Sequence, residues 1–222
     1  MSAYLPLIKV KGKLKKFFLD LFFPKKCLGC GCPDTYLCRD CFVKIQTTTN
    51  FICKDRIISA VDYANPLVRD LIKALKYHYV QELAKPLSQL MIKTLESLNL
   101  GVPIYNFIII PVPLHKFRLR NRGFNQAELL AREIADYFKL PIKTDTLQRI
   151  KPTEIQAEIK NDEERKNNVK DAFKIENSEA IKDKNILLID DVVTSAATLS
   201  EAVKVLKLNG AKEIWALTVA RG

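Results

Sequence analysis

Residues 184–211 read KNILLIDDVVTSAATLSEAVKVLKLNGA, and this stretch decides the fold. An unbroken apolar run ends in two acids, Asp190 and Asp191, and a short loop of small residues follows. A helical pattern then covers residues 199–208 and stops at Gly210. Because unbroken apolar strands are typical of the buried middle of a parallel sheet, the stretch predicts a strand, a loop and a helix of an α/β fold.

The same alternation continues outward from this unit. Strand patterns cover residues 56–63, 107–110 and 213–219, and helix patterns cover residues 65–78, 80–98 and 125–138. Asn65 and Pro66 stand where a helix cap and a first helical residue belong. Residues 151–168 are strongly charged and predict a long polar loop, which in compact domains is often a functional lid. Strands alternating with helices predict a doubly wound parallel sheet.

The loop that follows the apolar strand ending in Asp190 and Asp191 carries small and hydroxyl residues. They are Thr194, Ser195, Ala196, Ala197 and Thr198. Free backbone N–H groups, hydroxyls and the positive end of a helix dipole together suit a phosphate. In open α/β sheets, ligands lie at the carboxyl ends of the strands. Asp190 and Asp191 could accept hydrogen bonds from vicinal sugar hydroxyls. The spacing therefore predicts a site for a ribose 5-phosphate.

A simpler interpretation of this loop is helix capping. Thr198 and Glu201 match a capping box, and a junction of strand and helix needs a cap whatever it binds. Capping alone, however, does not require two acids and three hydroxyl residues within residues 190–198. We therefore favour phosphate binding.

The cysteines are clustered near the N-terminus. Two CxxC pairs are present, Cys27 with Cys30 and Cys38 with Cys41. Four thiolates at this spacing are typical of a structural zinc site, and the alternative is a set of buried or disulfide-linked cysteines. The first residues lack a signal-peptide pattern, so we expect a cytoplasmic chain, in which clustered thiols indicate a metal. Cys32 and Cys53 fall outside the pattern.

Charge is distributed unevenly along the chain. The net charge of +11 is consistent with polyanionic partners, and residues 1–26 hold seven lysines against one acid. This basic arm is either a solubilising tail or a polyanion-binding element. The Phe-rich residues 17–23 would fit a membrane surface, a partner or the chain's own domain. No apolar run approaches the roughly 18–20 residues of a membrane span. We predict an arm (1–26), a zinc module (27–53) and an α/β domain (54–222).

The segment IDDVVTSAAT (189–198) resembles the signature of type I phosphoribosyltransferases that binds phosphoribosyl pyrophosphate (PRPP). Three further segments narrow the resemblance: LIKALKYH (71–78), PVPLHKFRLRNRGFNQAELLAR (111–132) and TEIQAEIKNDEERKNNVKDAF (153–173). Together with the cysteine module they resemble the ComF/GntX family of ComFC-like competence proteins. The resemblance covers about residues 18–222.

The resemblance implies roles for individual residues. Asp190 and Asp191 would hold the ribose hydroxyls, and residues 194–198 would cradle the 5′-phosphate of PRPP. Mg²⁺ would accompany PRPP, held mainly by ligand oxygens and waters. The family's loop usually has glycine where this chain has Ala196. Alanine adopts a positive φ less readily, which makes turnover of PRPP less certain than its binding.

Residues 111–126 would face the pyrophosphate, with Arg118 and Arg122 as charge partners and Lys76 as a weaker candidate. Arginine suits this role because its planar fork grips phosphate oxygens bidentately. The lid would be residues 153–168. Its pattern-like positions are Gln156, Arg165 and Asn168.

Three functions agree with these residues. The first is a PRPP-binding protein of DNA uptake that contacts single-stranded DNA and a helicase partner. The alternative is an active phosphoribosyltransferase of nucleotide metabolism that uses a base or an amine as acceptor. The third is a zinc-ribbon adaptor with a vestigial transferase domain. Tyr77, Tyr79 and Phe124 could stack on nucleic-acid bases, although ordinary packing explains them as well.

Overall fold

The computed structural model describes residues 25–48, 50–52, 56–98, 103–152 and 168–222. Two compact units divide it, Met1–Lys44 and Ile45–Gly222. Part of the predictions lies outside the described residues: the arm up to residue 24, Cys53, and the lid positions Gln156 and Arg165.

The described part of the first unit is a short cysteine-rich segment. It contains an isolated antiparallel bridge between Lys26 and Pro33 and one helix, α1 (Arg39–Val43). Gly31 turns the chain with a φ of 77°, and its N–H donates to the carbonyl of Cys27 at 2.8 Å.

The second unit is built on a five-stranded sheet. Its members are β1 (Asn50–Ile52), β2 (Ile57–Asp62), β3 (Phe107–Pro111), β6 (Asn185–Val193) and β7 (Glu213–Arg221). The spatial order is β1-β2-β7-β6-β3. The last four are parallel to one another, and β1 adds an antiparallel edge from a segment that we had assigned to the zinc module. A separate antiparallel pair is formed by β4 (Leu147–Arg149) and β5 (Phe173–Ile175).

Helices connect the parallel strands. They are α2 (Pro66–Tyr77), α3 (Ala84–Ser97), α4 (Lys116–Arg122), α5 (Gln126–Phe138) and α6 (Ala197–Leu208). Asn65 caps α2 by accepting a hydrogen bond from the N–H of Val68 at 3.2 Å. The helix predicted over residues 80–98 begins with a 3₁₀ turn, Gln81–Leu83, and continues as α3. Helix α4 was not predicted, because its seven residues include four cations and little apolar periodicity.

The core lies on both faces of the sheet. On one face, Ile186 and Leu188 of β6 are buried together with Leu199, Ala202 and Leu206 of α6. The intervening Leu187 and Ile189 are fully buried and point to the opposite face. On that face α3 and α5 pack against each other and against the strands. The predicted doubly wound parallel sheet is therefore confirmed.

Two details of residues 184–211 differ from what the sequence predicted. Strand β6 continues through Val193, so Asp190 and Asp191 belong to the strand itself, and Asp190 pairs in register with Thr218. Helix α6 begins at Ala197 after an N-cap, Ala196, that makes no side-chain cap. Thr198 is therefore inside the helix, and the capping-box interpretation of this loop is wrong. Within the described residues, no helix combines the length and apolarity that crossing a bilayer requires.

Candidate functional site

A cleft of about 370 Å³ opens at the carboxyl ends of the parallel strands. Strands β2, β3 and β6 end at the wall of this cleft. The sheet topology therefore brings residues that are far apart in sequence onto one surface. Lining residues that the sequence predicted are Lys76, Arg118, Arg122, Asp190, Asp191, Thr194 and Thr198. Two lining residues that it missed are Tyr63 and Arg149, whereas Asn121 belongs to the predicted segment 111–126.

Two of the residues that line the cleft, Lys76 and Asp191, form an ion pair. The Nζ atom of Lys76 lies 2.6 Å from Oδ1 of Asp191, whose side chain is 4% exposed. The second oxygen of Asp191, Oδ2, is buried and has no hydrogen-bond partner among the described residues. A buried carboxylate oxygen without a partner costs free energy unless a ligand or water meets it. This oxygen therefore needs a partner that the described residues do not supply.

The surroundings of Asp190 change its pKa. Burial raises the pKa of Asp190 to about 7, and the adjacent Asp191 carboxylate adds to the rise, while Lys76 and Arg149 oppose it. Its Oδ1 atom accepts a hydrogen bond from the N–H of Asp191 at 2.8 Å. A carboxyl group with this pKa can gain or lose a proton near neutral pH.

Arg149, at the end of β4, is a site residue that sequence reasoning missed. It is 8% exposed and lines the cleft. Burial lowers the pKa of Arg149 to about 10, and the like charge of Arg118 contributes, which leaves the guanidinium charged at neutral pH. Two arginines close enough to repel each other favour an anion between them. Its short strand follows the loop after α5, and no local motif marks it.

The loop after β6 has the geometry that phosphate binding needs. Ala196 adopts a left-handed conformation, with φ 59° and ψ 1°. Alanine thus accepts the positive φ that glycine would adopt without strain. Thr194 is exposed and Ser195 and Thr198 are half-buried. The first N–H groups of a helix have no intrahelical partner, so α6 directs free donors and a positive dipole end at this loop.

Helix α4 brings its arginines to the cleft. Arg122 donates a hydrogen bond to Oε1 of Gln126, and its guanidinium lies 5.9 Å from the ring centroid of Tyr77. Gly123 ends α4 with a φ of 80° and allows α5 to start at once. His115 caps α4, its Nδ1 atom accepting from the N–H of Phe117 at 3.3 Å.

Aromatic side chains form part of the cleft rim. Tyr77 and Tyr79 are 54% and 56% exposed, and both line the cleft. Phe124 is buried, and its ring centroid lies 6.4 Å from that of Tyr79 in an edge-to-face arrangement. Phe124 is thus a packing residue, whereas the two tyrosines present open ring surface.

In the first unit, three of the four predicted metal ligands, Cys27, Cys30 and Cys38, lie together with Cys32. The Sγ atoms of Cys27, Cys30, Cys32 and Cys38 lie within 4.8 Å of one another. Four thiolates at such distances can enclose one tetrahedral zinc ion, so the donor set fits the metal. Cys41 is buried on α1, and its N–H donates to Sγ of Cys38 at 3.4 Å. The group of four sulfurs thus includes Cys32, which lies outside the CxxC pattern, and does not include the predicted ligand Cys41.

Part of the second unit matches a known protein family. The model of the phosphoribosyl transferase domain family matches residues 121–222. The adenine phosphoribosyltransferase structure from Leishmania donovani aligns with a TM-score of 0.43 and 12% identity, covering 77% of this chain and 85% of that one. The parallel sheet, the acidic strand end and the family match together define a type I phosphoribosyltransferase-like domain.

Relatives over most of the chain narrow this class. The DNA utilization protein YhgH of Shigella flexneri is 32% identical over 197 residues, which cover 86% of this chain and 82% of that protein. The competence protein ComFC of Bacillus subtilis is 29% identical over 206 residues, covering 90% and 77%. Competence protein F of Haemophilus influenzae is 36% identical over 114 residues, covering 51% and 49%. The chain belongs to the ComF/GntX family of ComFC-like proteins.

Proposed function

We propose that the cleft binds PRPP, or a related ribose 5-phosphate, and that the chain serves DNA uptake or utilisation in the cytoplasm. The observation that carries the proposal is the unpartnered Oδ2 of Asp191, buried in a cleft that also exposes cations. A ligand that offers hydroxyls to this oxygen and phosphates to the cations satisfies both. The names of the YhgH and competence relatives support the role in DNA handling.

The proposed orientation follows from the lining residues. Ribose hydroxyls donate to Asp190 and Asp191, and the 5′-phosphate accepts from the N–H groups and hydroxyls of residues 194–198. The pyrophosphate lies toward Arg118, Arg122 and Arg149. Mg²⁺ prefers oxygen ligands, and the two aspartates with the ligand's phosphates fit that preference. The ion would neutralise pyrophosphate charge when it binds.

An active phosphoribosyltransferase is the second candidate, favoured by the raised pKa of Asp190. In that reaction the bond from C1′ to pyrophosphate breaks, the electron pair leaves with pyrophosphate, and an acceptor nitrogen bonds to C1′. The acceptor then loses a proton. A carboxyl group with a pKa of about 7 is suited to take it near neutral pH. The cations would stabilise the departing pyrophosphate.

Calorimetry with PRPP and Mg²⁺ tests the binding site. We expect saturable binding to the full chain, and Asp191→Asn should weaken it at least tenfold. A thermal shift assay gives a second readout, since ligand at 100 times Kd adds about 2.7 kcal/mol to the free energy of unfolding. No heat and no shift would leave the zinc-ribbon adaptor as the better description.

Pyrophosphate release separates the two candidates that use PRPP. The full chain is incubated with PRPP, Mg²⁺ and a panel of bases and amines. Release that requires one acceptor and disappears in Asp191→Asn would establish the transferase. Binding without release for any acceptor would support a PRPP-binding protein.

The DNA partner is proposed from charge. The arm, residues 1–26, holds seven of the chain's 36 basic residues. A second groove of about 390 Å³, lined by Arg56, Lys204, Lys207 and Lys212, offers another cationic surface. Salt-dependent binding of a single-stranded oligonucleotide should weaken when residues 1–26 are removed. The double variant Lys204→Glu/Lys207→Glu measures how much the groove contributes to oligonucleotide binding. Unchanged binding by the chain that lacks residues 1–26 would refute the role of the arm. A helicase partner remains part of the proposal, tested by co-purification with the full and truncated chains.

A further inference from the structure

Five cysteine thiols share one location in the first unit, although a zinc ion takes four. The four Sγ atoms that lie within 4.8 Å of one another belong to Cys27, Cys30, Cys32 and Cys38. Cys41, which completes the second CxxC pair, is buried, and its N–H lies 3.4 Å from Sγ of Cys38. Cys32 therefore lies among these sulfurs, and Cys41 lies next to one of them.

The distances suit direct coordination. Zinc–thiolate bonds of about 2.3 Å in a tetrahedron place neighbouring sulfurs about 3.8 Å apart. The Sγ atoms of Cys30 and Cys38 are 3.6 Å apart, so these two already stand at ligand spacing. One further sulfur besides Cys27 then completes the tetrahedron.

Backbone hydrogen bonds hold the shared sulfurs. The N–H of Cys38 donates to Sγ of Cys27 at 3.4 Å, and the N–H of Cys41 donates to Sγ of Cys38 at 3.4 Å. These bonds use main-chain donors and do not depend on the side chain of Cys32 or Cys41. The CxxC spacing favours Cys41 as the fourth ligand, whereas proximity of the sulfurs favours Cys32.

We propose that Cys32 and Cys41 are alternative fourth ligands of a single zinc ion, with Cys27, Cys30 and Cys38 common to both states. This inference rests on the proposed zinc site. When one thiol binds, its proton is released and its sulfur forms the zinc bond. The displaced sulfur takes up a proton and becomes a free thiol. The site thus retains zinc after loss of either alternative ligand.

Zinc content of purified full-length variants tests the proposal, in a Cys53→Ser background that leaves only the clustered thiols. Cys32→Ser and Cys41→Ser should each keep about one zinc per chain and lose less than tenfold in affinity against a competing chelator. The double variant and the control Cys30→Ser should lose more than a hundredfold. Complete loss of zinc in either single variant would assign the fourth position to that residue alone and overturn the proposal.

Alkylation of the zinc-loaded Cys53→Ser chain gives a readout that does not depend on how the serine variants fold. Mass spectrometry should find one modified thiol per chain, distributed between Cys32 and Cys41. Modification confined to one of them would contradict alternation. Absence of zinc from this chain and from the unmutated one would instead remove the metal site itself, an outcome distinct from a failure of the alternation.

Discussion

The ammonium nitrogen of Lys76 lies 2.6 Å from Oδ1 of Asp191, and this contact joins the last turn of α2 to the carboxyl end of β6. Burial by itself would lower the pKa of Lys76, but the carboxylates of Asp191 and Asp190 outweigh it and hold the pKa above its ordinary value. The lysine is therefore charged in the cleft. It compensates one oxygen of Asp191 and leaves the other to a ligand.

Removal of this lysine should destabilise the fold. Lys76→Met leaves the Asp191 carboxylate buried without its partner, and we expect a loss on the order of 3 kcal/mol in the free energy of unfolding. Urea denaturation measures it. Lys73→Met, an exposed position on the same helix, is the matched control and should change stability little. In a double-mutant cycle, Asp191→Asn should recover part of the loss, and strict additivity would contradict the ion pair.

Ala196→Gly should stabilise the loop. Its φ of 59° costs alanine more than glycine, so we expect a gain on the order of 0.5–1 kcal/mol with PRPP binding retained. Thermal unfolding with and without PRPP measures both effects. Ala197→Gly, one position later and inside α6, should destabilise instead. Equal effects of the two substitutions would show that the left-handed residue bears no strain.

Asp190 should make stability depend on pH. Its pKa rises from 3.8 in the unfolded chain to about 7 in the folded one, so the folded state binds more protons between these values. The contribution of Asp190 to the free energy of unfolding therefore falls as pH rises from 4 to 7, by at most about 1.4 kcal/mol per unit. Denaturation of the wild type and Asp190→Asn at several pH values isolates this contribution. A constant difference between the two would contradict the raised pKa.

Arg149 should matter for the ligand more than for the fold. Arg149→Met removes repulsion from Arg118 together with attraction to Asp190, and because these two effects oppose each other the empty domain should lose little stability. Loss of a charge-assisted hydrogen bond to pyrophosphate should weaken PRPP binding about ten- to a hundredfold. Calorimetry measures the affinity. Arg132→Met, which removes an exposed arginine paired with Glu128, is the control and should leave the affinity unchanged.

Local patterns predicted much of the fold. The apolar runs, the cap at Asn65 and the stop near Gly210 depend on neighbours in sequence, and each lies at its predicted place. The short helix α4 and the edge strand β1 were not predicted. Both are brief and lack a strong apolar period, so long-range packing decides their conformation.

The sequence by itself determined the alternating α/β order and the acids followed by a hydroxyl-rich loop, because strand and helix periodicity are properties of adjacent residues. Only the tertiary structure decided that Lys76 meets Asp191, that Arg149 enters the cleft, and that Cys32 joins the cysteine group. The order of the strands and the reversals of the chain bring these residues together. No short segment encodes the first two contacts, because their distances depend on how the sheet and its helices are packed, whereas the place of Cys32 depends on the turns of the cysteine-rich segment.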